Sequence, residues 1–437
     1  MEEVAARNAA GKGATGENPT RFALRTDLSR PVGEVDLRLL AGAVRRAALG
    51  QRLRAWALAA PLVTLIFVSF FVPILVLLSR AVYDPTIADS LPRTAIALRG
   101  WQAQGLPDDA AFVALTNDLR QDLAQDKIYE FAKSLNFRLP GARSHVLRTA
   151  RLASNSTGVS KSALIAIDPI WGETATWAAI RGGLNPLTAY YLLNALDLRP
   201  TAGGIGFVPP DQAVYLRVFG RTFLIAAIVT LTTVVGAFPL AWLAANLPPR
   251  VASVLIILLL LPFWTSILVR TAAWTVVLQK FGLLNDVLLL LGLTHHRLDL
   301  MYSRAGLILT MADIQLPFTL LPIYSVLRGI PSSQMRAAYS LGARPFAAFR
   351  RVYLPQAMPG VLAGSLLTFI LCLGYYITPA LVGGPGDQLV GNFIADFLNV
   401  ELNWHMAAAL SFILLLLTLG LFAAFGRLIG SGRLRLM

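Results

Sequence analysis

MRAAYSLGARPFAAFRRVYLPQAMPG (residues 335–360) is a basic stretch between two long apolar runs, and its reading decides the fold. Five arginines (Arg328, Arg336, Arg344, Arg350 and Arg351) and no acid lie between Arg328 and Gly360. That bias on a short loop beside apolar spans marks the cytoplasmic side of a membrane. Within the stretch, Ala337 and Ala338 are followed by Leu341, Gly342 and Ala343, and later by Leu354 and Pro355. The order reads as helix, turn, helix. The two alanines make a narrow helix face. Gly342 can adopt the left-handed conformation that ends a helix, and Pro355 restricts how the next segment continues as helix.

Composition places that loop in a membrane protein. Of 437 residues, 56 % are hydrophobic and 14 % charged, with mean hydropathy +0.61; a soluble chain carries about 25 % charged residues. The deficit is concentrated in several runs of about 20 mostly apolar residues, long enough to cross a hydrocarbon core of about 30 Å. The expected class is an all-α polytopic membrane protein. Cys372 is the single cysteine, so a disulfide framework is excluded, and its apolar surroundings point to packing. His145, His295, His296 and His405 lack the spacing of a zinc site, so no metal is expected. The net charge of +14 does not point to nucleic acid. Residues 81–215 carry twelve basic and twelve acidic residues, and much of the excess flanks the apolar runs. There Lys and Arg set orientation and meet anionic lipid.

Working outward from the loop, the pattern predicts six transmembrane helices at about 55–79, 217–246, 251–278, 305–327, 361–382 and 405–428. Residues 1–54, with ten basic and six acidic residues, read as a cytoplasmic arm, and 431–437 as a cytoplasmic tail. The 80–215 insertion between spans 1 and 2 is hydrophilic. Phe112, Leu115, Leu119 and Leu123 recur there at helical spacing, with further helices expected at 174–181 and 188–196. It reads as a mostly helical extracytoplasmic domain. The 282–293 segment, with Asn285 and Asp286, is too short to cross and reads as interfacial. Asp387, Asp396 and Glu401, with no base among them, place the loop between spans 5 and 6 outside. The membrane core is thus 216–430, with the basic loop at 329–359.

The order Ala337-Ala338, Gly342, Leu354-Pro355 resembles the coupling loop of bacterial type I ABC-importer permeases. PFWTSILVRTAAW (262–274), GYYITPALVGGPG (374–386) and NWHMAAALS (403–411) resemble the spermidine/putrescine (polyamine)-type branch of that group. The resemblance covers about 55–82 and 215–430. It implies the six-helix fold of those permeases and a multi-pass place in the bacterial inner membrane, with both termini cytoplasmic. It implies that Arg336, Ala337, Ala338, Leu341, Gly342, Ala343, Leu354 and Pro355 meet an ATP-binding cassette ATPase. Arg336 departs from the pattern, which has an acid there. The further partners implied are a second permease subunit, copy or paralogue, an extracytoplasmic solute-binding protein and membrane lipid.

No GxxxxGK[ST] motif is present, so the chain is not expected to be an enzyme or to hold a cofactor. ATP and magnesium belong to the partner ATPase. The expected cargo is a small polar or cationic solute, polyamines included. Charged and polar residues at span depth face protein or water, which singles out Arg270, Asp313 and Gln315. Trp264 and Trp274 flank Arg270 on the same candidate pathway, and the faces of Tyr375 and Tyr376 could hold an ammonium by cation–π attraction. Asp313 is expected to neutralise Arg270. The alternative is a transporter driven by an ion gradient, which would show paired broken helices in repeated halves.

Overall fold

The computed structural model describes residues 56–153, 159–201 and 204–433. The expected arm at 1–54 and the last residues of the expected tail, 434–437, lie outside them. Residues up to Pro73 form one unit and those from Ile74 a second. Among the described residues of the first there is one helix, the start of Trp56–Ser79 (span 1), apolar on every side. That pattern suits lipid contact all round. Phe67–Phe71 forms a π-turn just before Pro73, whose ring and missing N–H disturb the regular ladder.

Four more unbroken helices in the second unit are long and apolar enough to cross a membrane. They are Tyr215–Asn246 (span 2), Arg304–Arg328 (span 4), Pro345–Leu373 (span 5) and Trp404–Arg427 (span 6). Spans 2, 4 and 5 share the core. Ile225, Ala226 and Val229 pack with Leu307, Met311 and Cys372, and Ala237 and Ala241 pack with Leu320, Ile323 and Ala357. Small residues set the closest approach. A Cβ on Gly364 would stand 2.7 Å from the Thr319 carbonyl oxygen, and one on Gly360 would stand 2.8 Å from Val326 Cβ. This GVLAG stretch is a GxxxG face, which lets two backbones meet where lipid supplies no hydrophobic drive. The Thr319 and Thr368 hydroxyls, 2.5 Å apart, bond across the same seam. On span 2, Thr222, Thr230 and Thr233 return their hydroxyl protons to carbonyls four residues back, which satisfies them without water.

Two expectations need correction. A straight span at 251–278 is replaced by Pro249–Trp264 and Ile267–Val277, bent by 96° (span 3). Pro262 leaves the first piece in a 3-10 turn, Thr265 and Ser266 are extended, and Ser266 Oγ caps the second piece by accepting from Val269 N at 3.2 Å. Span 5 starts at Pro345 rather than 361 and stops at Leu373, with a separate short helix at Ile377–Leu381. Pro355 therefore does not interrupt it. A π-turn at Phe349–Tyr353 directly upstream absorbs the mismatch.

The 80–215 insertion has its own core. Trp171 and Trp177 are fully buried beside Phe112, Leu115, Leu119, Phe131 and Leu135. Trp171 Nε1 donates to Thr149 Oγ1 (2.8 Å) and Trp177 Nε1 to the Trp171 carbonyl (2.9 Å), so both indoles are paired. The domain is mostly helical, and Leu198–Thr201 with Gly204–Phe207 adds an antiparallel hairpin that the sequence reading missed. Helices at Ala142–Ala153 and Lys161–Ile167 were missed too. Leu283–Leu290 forms the short helix expected near 282–293, held by Asn285, which exchanges hydrogen bonds with Leu298.

Two buried aspartates seat the insertion on the spans. Asp197 accepts from the N–H groups of Val214, Tyr215 and Leu216, at 3.1, 3.0 and 2.7 Å, and so caps span 2 from outside its own helix. Asp84 accepts from the Tyr191 hydroxyl at 2.7 Å and lies 3.6 Å from His405 Nε2 on span 6. Burial alone would raise the Asp84 carboxyl, but His405 and hydrogen bonds from Tyr191 and Thr86 hold it below the usual carboxylate range.

A depressed acid contributes stability above its unfolded pKa of about 3.9 and loses it as pH falls through the folded value. Asp84→Asn should therefore lower the thermal midpoint in detergent at pH 7, and the gap to wild type should close below about pH 4. A gap independent of pH would contradict this. Gly364→Ala should cost about 1–3 kcal/mol by forcing spans 4 and 5 apart. Gly374→Ala, where an added Cβ meets nothing, should leave the midpoint near wild type. Equal midpoints for the two variants would sink the close-approach account.

Candidate functional site

The basic loop folds as the helix Ser332–Ser340, a turn, and the start of span 5 at Pro345. Gly342 ends the helix at φ +84°, its N–H reaching the Tyr339 carbonyl (2.9 Å) while Ala343 N reaches Ala338 O (3.0 Å). These are the two bonds of a Schellman cap. A Cβ at Gly342 would meet nothing within 4 Å, so the backbone conformation, not space, selects glycine there. Met335 packs inward against the cluster that holds Leu327, Tyr353 and Ala357.

The cap turns an apolar tip outward. Leu341 is 88 % exposed and Phe346 75 %, within a loop otherwise rich in Arg. Arg336, Ala337, Gly342 and Pro355 are exposed, whereas Ala338, Ala343 and Leu354 are half-buried. Sequence reading missed Phe346; an apolar residue directly after the Pro that opens span 5 was the available signal. A cavity of about 430 Å³ lies beside this helix, between Trp242 and Asn246 of span 2, Arg328 of span 4 and Tyr339. A convex apolar tip ringed by cations fits a groove that is apolar at its floor and acidic at its rim.

The polar residues at span depth collect around the breaks. Trp274 Nε1, on the second piece of span 3, donates to Asp313 Oδ2 on span 4 at 2.9 Å. Arg270 and Asp313 form no ion pair among the described residues, which corrects the expectation that one neutralises the other. Arg270 instead lies within electrostatic reach of Tyr375, and its buried Nε has no hydrogen-bond partner among the described residues. Gln315 is 1 % exposed and belongs to the packed interior. Tyr376 is exposed, and its carbonyl accepts from Asn392 Nδ2 at 2.8 Å. Trp264 stands apart at the bend of span 3, 88 % exposed. Thus Trp274 and Asp313 pair across spans 3 and 4, Arg270 stands near Tyr375, Gln315 lies buried beside Cys372, and Trp264 stays exposed at the bend.

The loop after span 5 is clamped nearby. Arg304 Nε donates to Asp387 Oδ1 at 2.7 Å, and Arg221 donates to the Gly386 carbonyl at 2.5 Å and to that of Gln388. Thr271 and Thr378 hydroxyls, 3.2 Å apart, join the second piece of span 3 to the short helix Ile377–Leu381. Asp313 is exposed on this single chain, and a carboxylate at span depth faces protein or water rather than lipid. The face it shares with Trp274 is therefore one that another subunit or an aqueous path covers. Among the described residues no three His, Cys, Asp or Glu gather as a metal site.

Residues 213–433 match the family described as the binding-protein-dependent transport system inner membrane component. The spermidine/putrescine transport system permease protein PotB of Escherichia coli (strain K12) is 35 % identical over 209 residues, 48 % of this chain and 75 % of that one. The inner membrane ABC transporter permease protein YdcU of the same organism is 36 % identical over 237 residues, 52 % of this chain and 74 % of that one. Among solved structures, a bacterial alginate ABC transporter in complex with an alginate pentasaccharide-bound periplasmic protein covers 48 % of this chain and 76 % of its own. It aligns at 16 % identity and a TM-score of 0.39. The matched region starts just before span 2 and runs through spans 3 to 6, taking in the capped basic helix and the Trp274–Asp313 pair. This chain belongs to the family of inner-membrane permease components of binding-protein-dependent ABC transport systems.

Proposed function

We propose that this permease imports a small polar or cationic solute, and that it does so by inserting the Leu341–Phe346 tip into a separate ATP-binding cassette ATPase. The observation that carries this is the Schellman-capped helix Ser332–Ser340, which presents apolar side chains outward among arginines. Its loop joins spans 4 and 5 directly. A displacement at the tip is therefore delivered to two helices that meet at Gly360 and Gly364 without intervening side chains.

The arginine bias supports a cytoplasmic side of a bacterial inner membrane for this loop, and with it for both termini. The insertion then faces outward, where a solute-binding protein delivers cargo. A second permease, copy or paralogue, completes the pathway along the face bearing Asp313, Trp274 and Arg270. Similarity to the spermidine/putrescine permease supports a cationic cargo such as a polyamine. Asp313, exposed beside an indole, supplies the carboxylate and aromatic surface that an ammonium group needs. Arg336 is exposed and forms no ion pair among the described residues, so in this reading its acidic partner sits on the ATPase. Family membership leaves the ion-gradient alternative without support.

Tagged chain isolated in mild detergent should bring down an ATPase. Ala337→Asp and Gly342→Asp should each abolish solute uptake while leaving the chain folded and membrane-inserted. Recovery without an ATPase, or full uptake by either variant, would overturn the coupling role. Asp313→Asn should weaken uptake of a cationic solute by about tenfold or more, the loss of a charge-assisted contact. Unchanged uptake would remove Asp313 from the pathway.

A further inference from the structure

A cavity of about 490 Å³ lies between the insertion and the helix Val390–Asn399, and neither Asp313 nor the span 3 break lines it. Its volume falls within the roughly 300–1,000 Å³ typical of small-molecule sites. One wall is a single helical face, because Phe393, Asp396 and Phe397 follow one another at i, i+3 and i+4. Glu401 extends that wall. Tyr215 of span 2 meets the two phenylalanine rings, with centroids 6.3 and 6.4 Å apart. Neither the Asp396 nor the Glu401 carboxylate makes a hydrogen bond or ion pair among the described residues.

The opposite wall is basic. Arg199, on the strand Leu198–Thr201, lines the same cavity, is exposed, and forms no ion pair among the described residues. Arg138 lines it too, its side chain only 5 % exposed. Its Nη1 donates to the Gly182 carbonyl and its guanidinium stacks over Tyr190 at 4.7 Å, yet Nε and Nη2 have no hydrogen-bond partner among the described residues. Asp84, 3.8 Å away, offsets part of its charge.

Opposite charges that line one cavity would close on each other if the walls allowed it. Here no salt bridge crosses among the described residues, and Tyr190, Tyr215, Phe393 and Phe397 add aromatic lining. The arrangement is complementary to a molecule that carries both signs together with an apolar portion. A polyamine would satisfy Asp396 and Glu401 but bring a cation towards Arg199. A simple carboxylate would leave both acids facing unpaired aromatic surface.

We infer that this cavity binds a zwitterionic amine, of the class of free α-amino acids, with its ammonium at Asp396, Glu401 and the Tyr215–Phe397 faces and its carboxylate at Arg199. The site uses the insertion, most of which lies outside the family match, and does not depend on the coupling or pathway assignments.

The test uses the full chain in nanodiscs. Thermal shift and calorimetric titration with the free α-amino acids should find at least one that binds. Its methyl ester, its N-acetyl form and spermidine should each bind about tenfold or more weakly, because each lacks or inverts one end. Asp396→Asn combined with Glu401→Gln, and separately Arg199→Gln, should weaken the free amino acid by about tenfold or more. All three residues are exposed on the surface, so the ligand-free midpoints should remain near wild type. The inference is overturned if no free amino acid binds or if the ester and N-acetyl forms bind as well as the parent. It is equally overturned if the amino acid binds both variants like wild type, or if spermidine alone binds.

Discussion

Everything in the permease core depends on the contact between spans 4 and 5. Gly360 and Gly364 remove the side chains that would hold the two helices apart, so that one backbone lies against the other. In water such a contact would be a weak choice, because glycine weakens a helix interior. In lipid the terms change. Apolar side chains gain little by leaving lipid tails for each other, and close backbone packing with a hydroxyl pair such as Thr319–Thr368 becomes the main source of cohesion. The helix Ser332–Ser340 connects these two spans, so the loop is tied to the most closely packed pair of the core.

The remaining polarity of the core is found where helices break. Span 3 bends at Thr265–Ser266 and span 5 ends at Leu373 before the short helix Ile377–Leu381. Irregular backbone at membrane depth is tolerated only where protein or a water-filled cavity covers it. Asn392 accordingly serves the Tyr376 carbonyl, and Thr378 meets Thr271. Arg270, Trp274 and Tyr375 lie near these breaks, and Trp274 reaches Asp313 on span 4 from there. The insertion is fastened by a different rule: Asp84 and Asp197 are buried acceptors that reach across to span 6 and to the free N–H groups opening span 2.

Much of this was legible in the chain. The arginine bias of 328–360, the hydropathy runs and the Ala-Ala, Gly, Leu-Pro order depend on local composition, and local composition survives folding. Gly342 as a helix cap was readable because positive φ is a property of one residue. The bend of span 3 was not read, although Pro262, Thr265 and Ser266 are break signals; a long apolar run masked them. Pro355 misled for the opposite reason, since the π-turn that accommodates it leaves no sequence mark. The Trp274–Asp313 bond, the separation of Arg270 from Asp313, and the capping of span 2 by Asp197 depend on which helix faces meet. Hydropathy period does not encode that.

The central claim is that the Leu341–Phe346 tip engages the ATPase, and it is tested most directly by site-specific photo-crosslinking in native membranes. A photoreactive residue at Leu341 should yield one crosslinked band containing the ATPase, while the same residue at Phe207, 79 % exposed on the insertion hairpin, should yield none with it. Crosslinking of the ATPase from Phe207, or its absence at Leu341 in transport-competent membranes, would contradict the account.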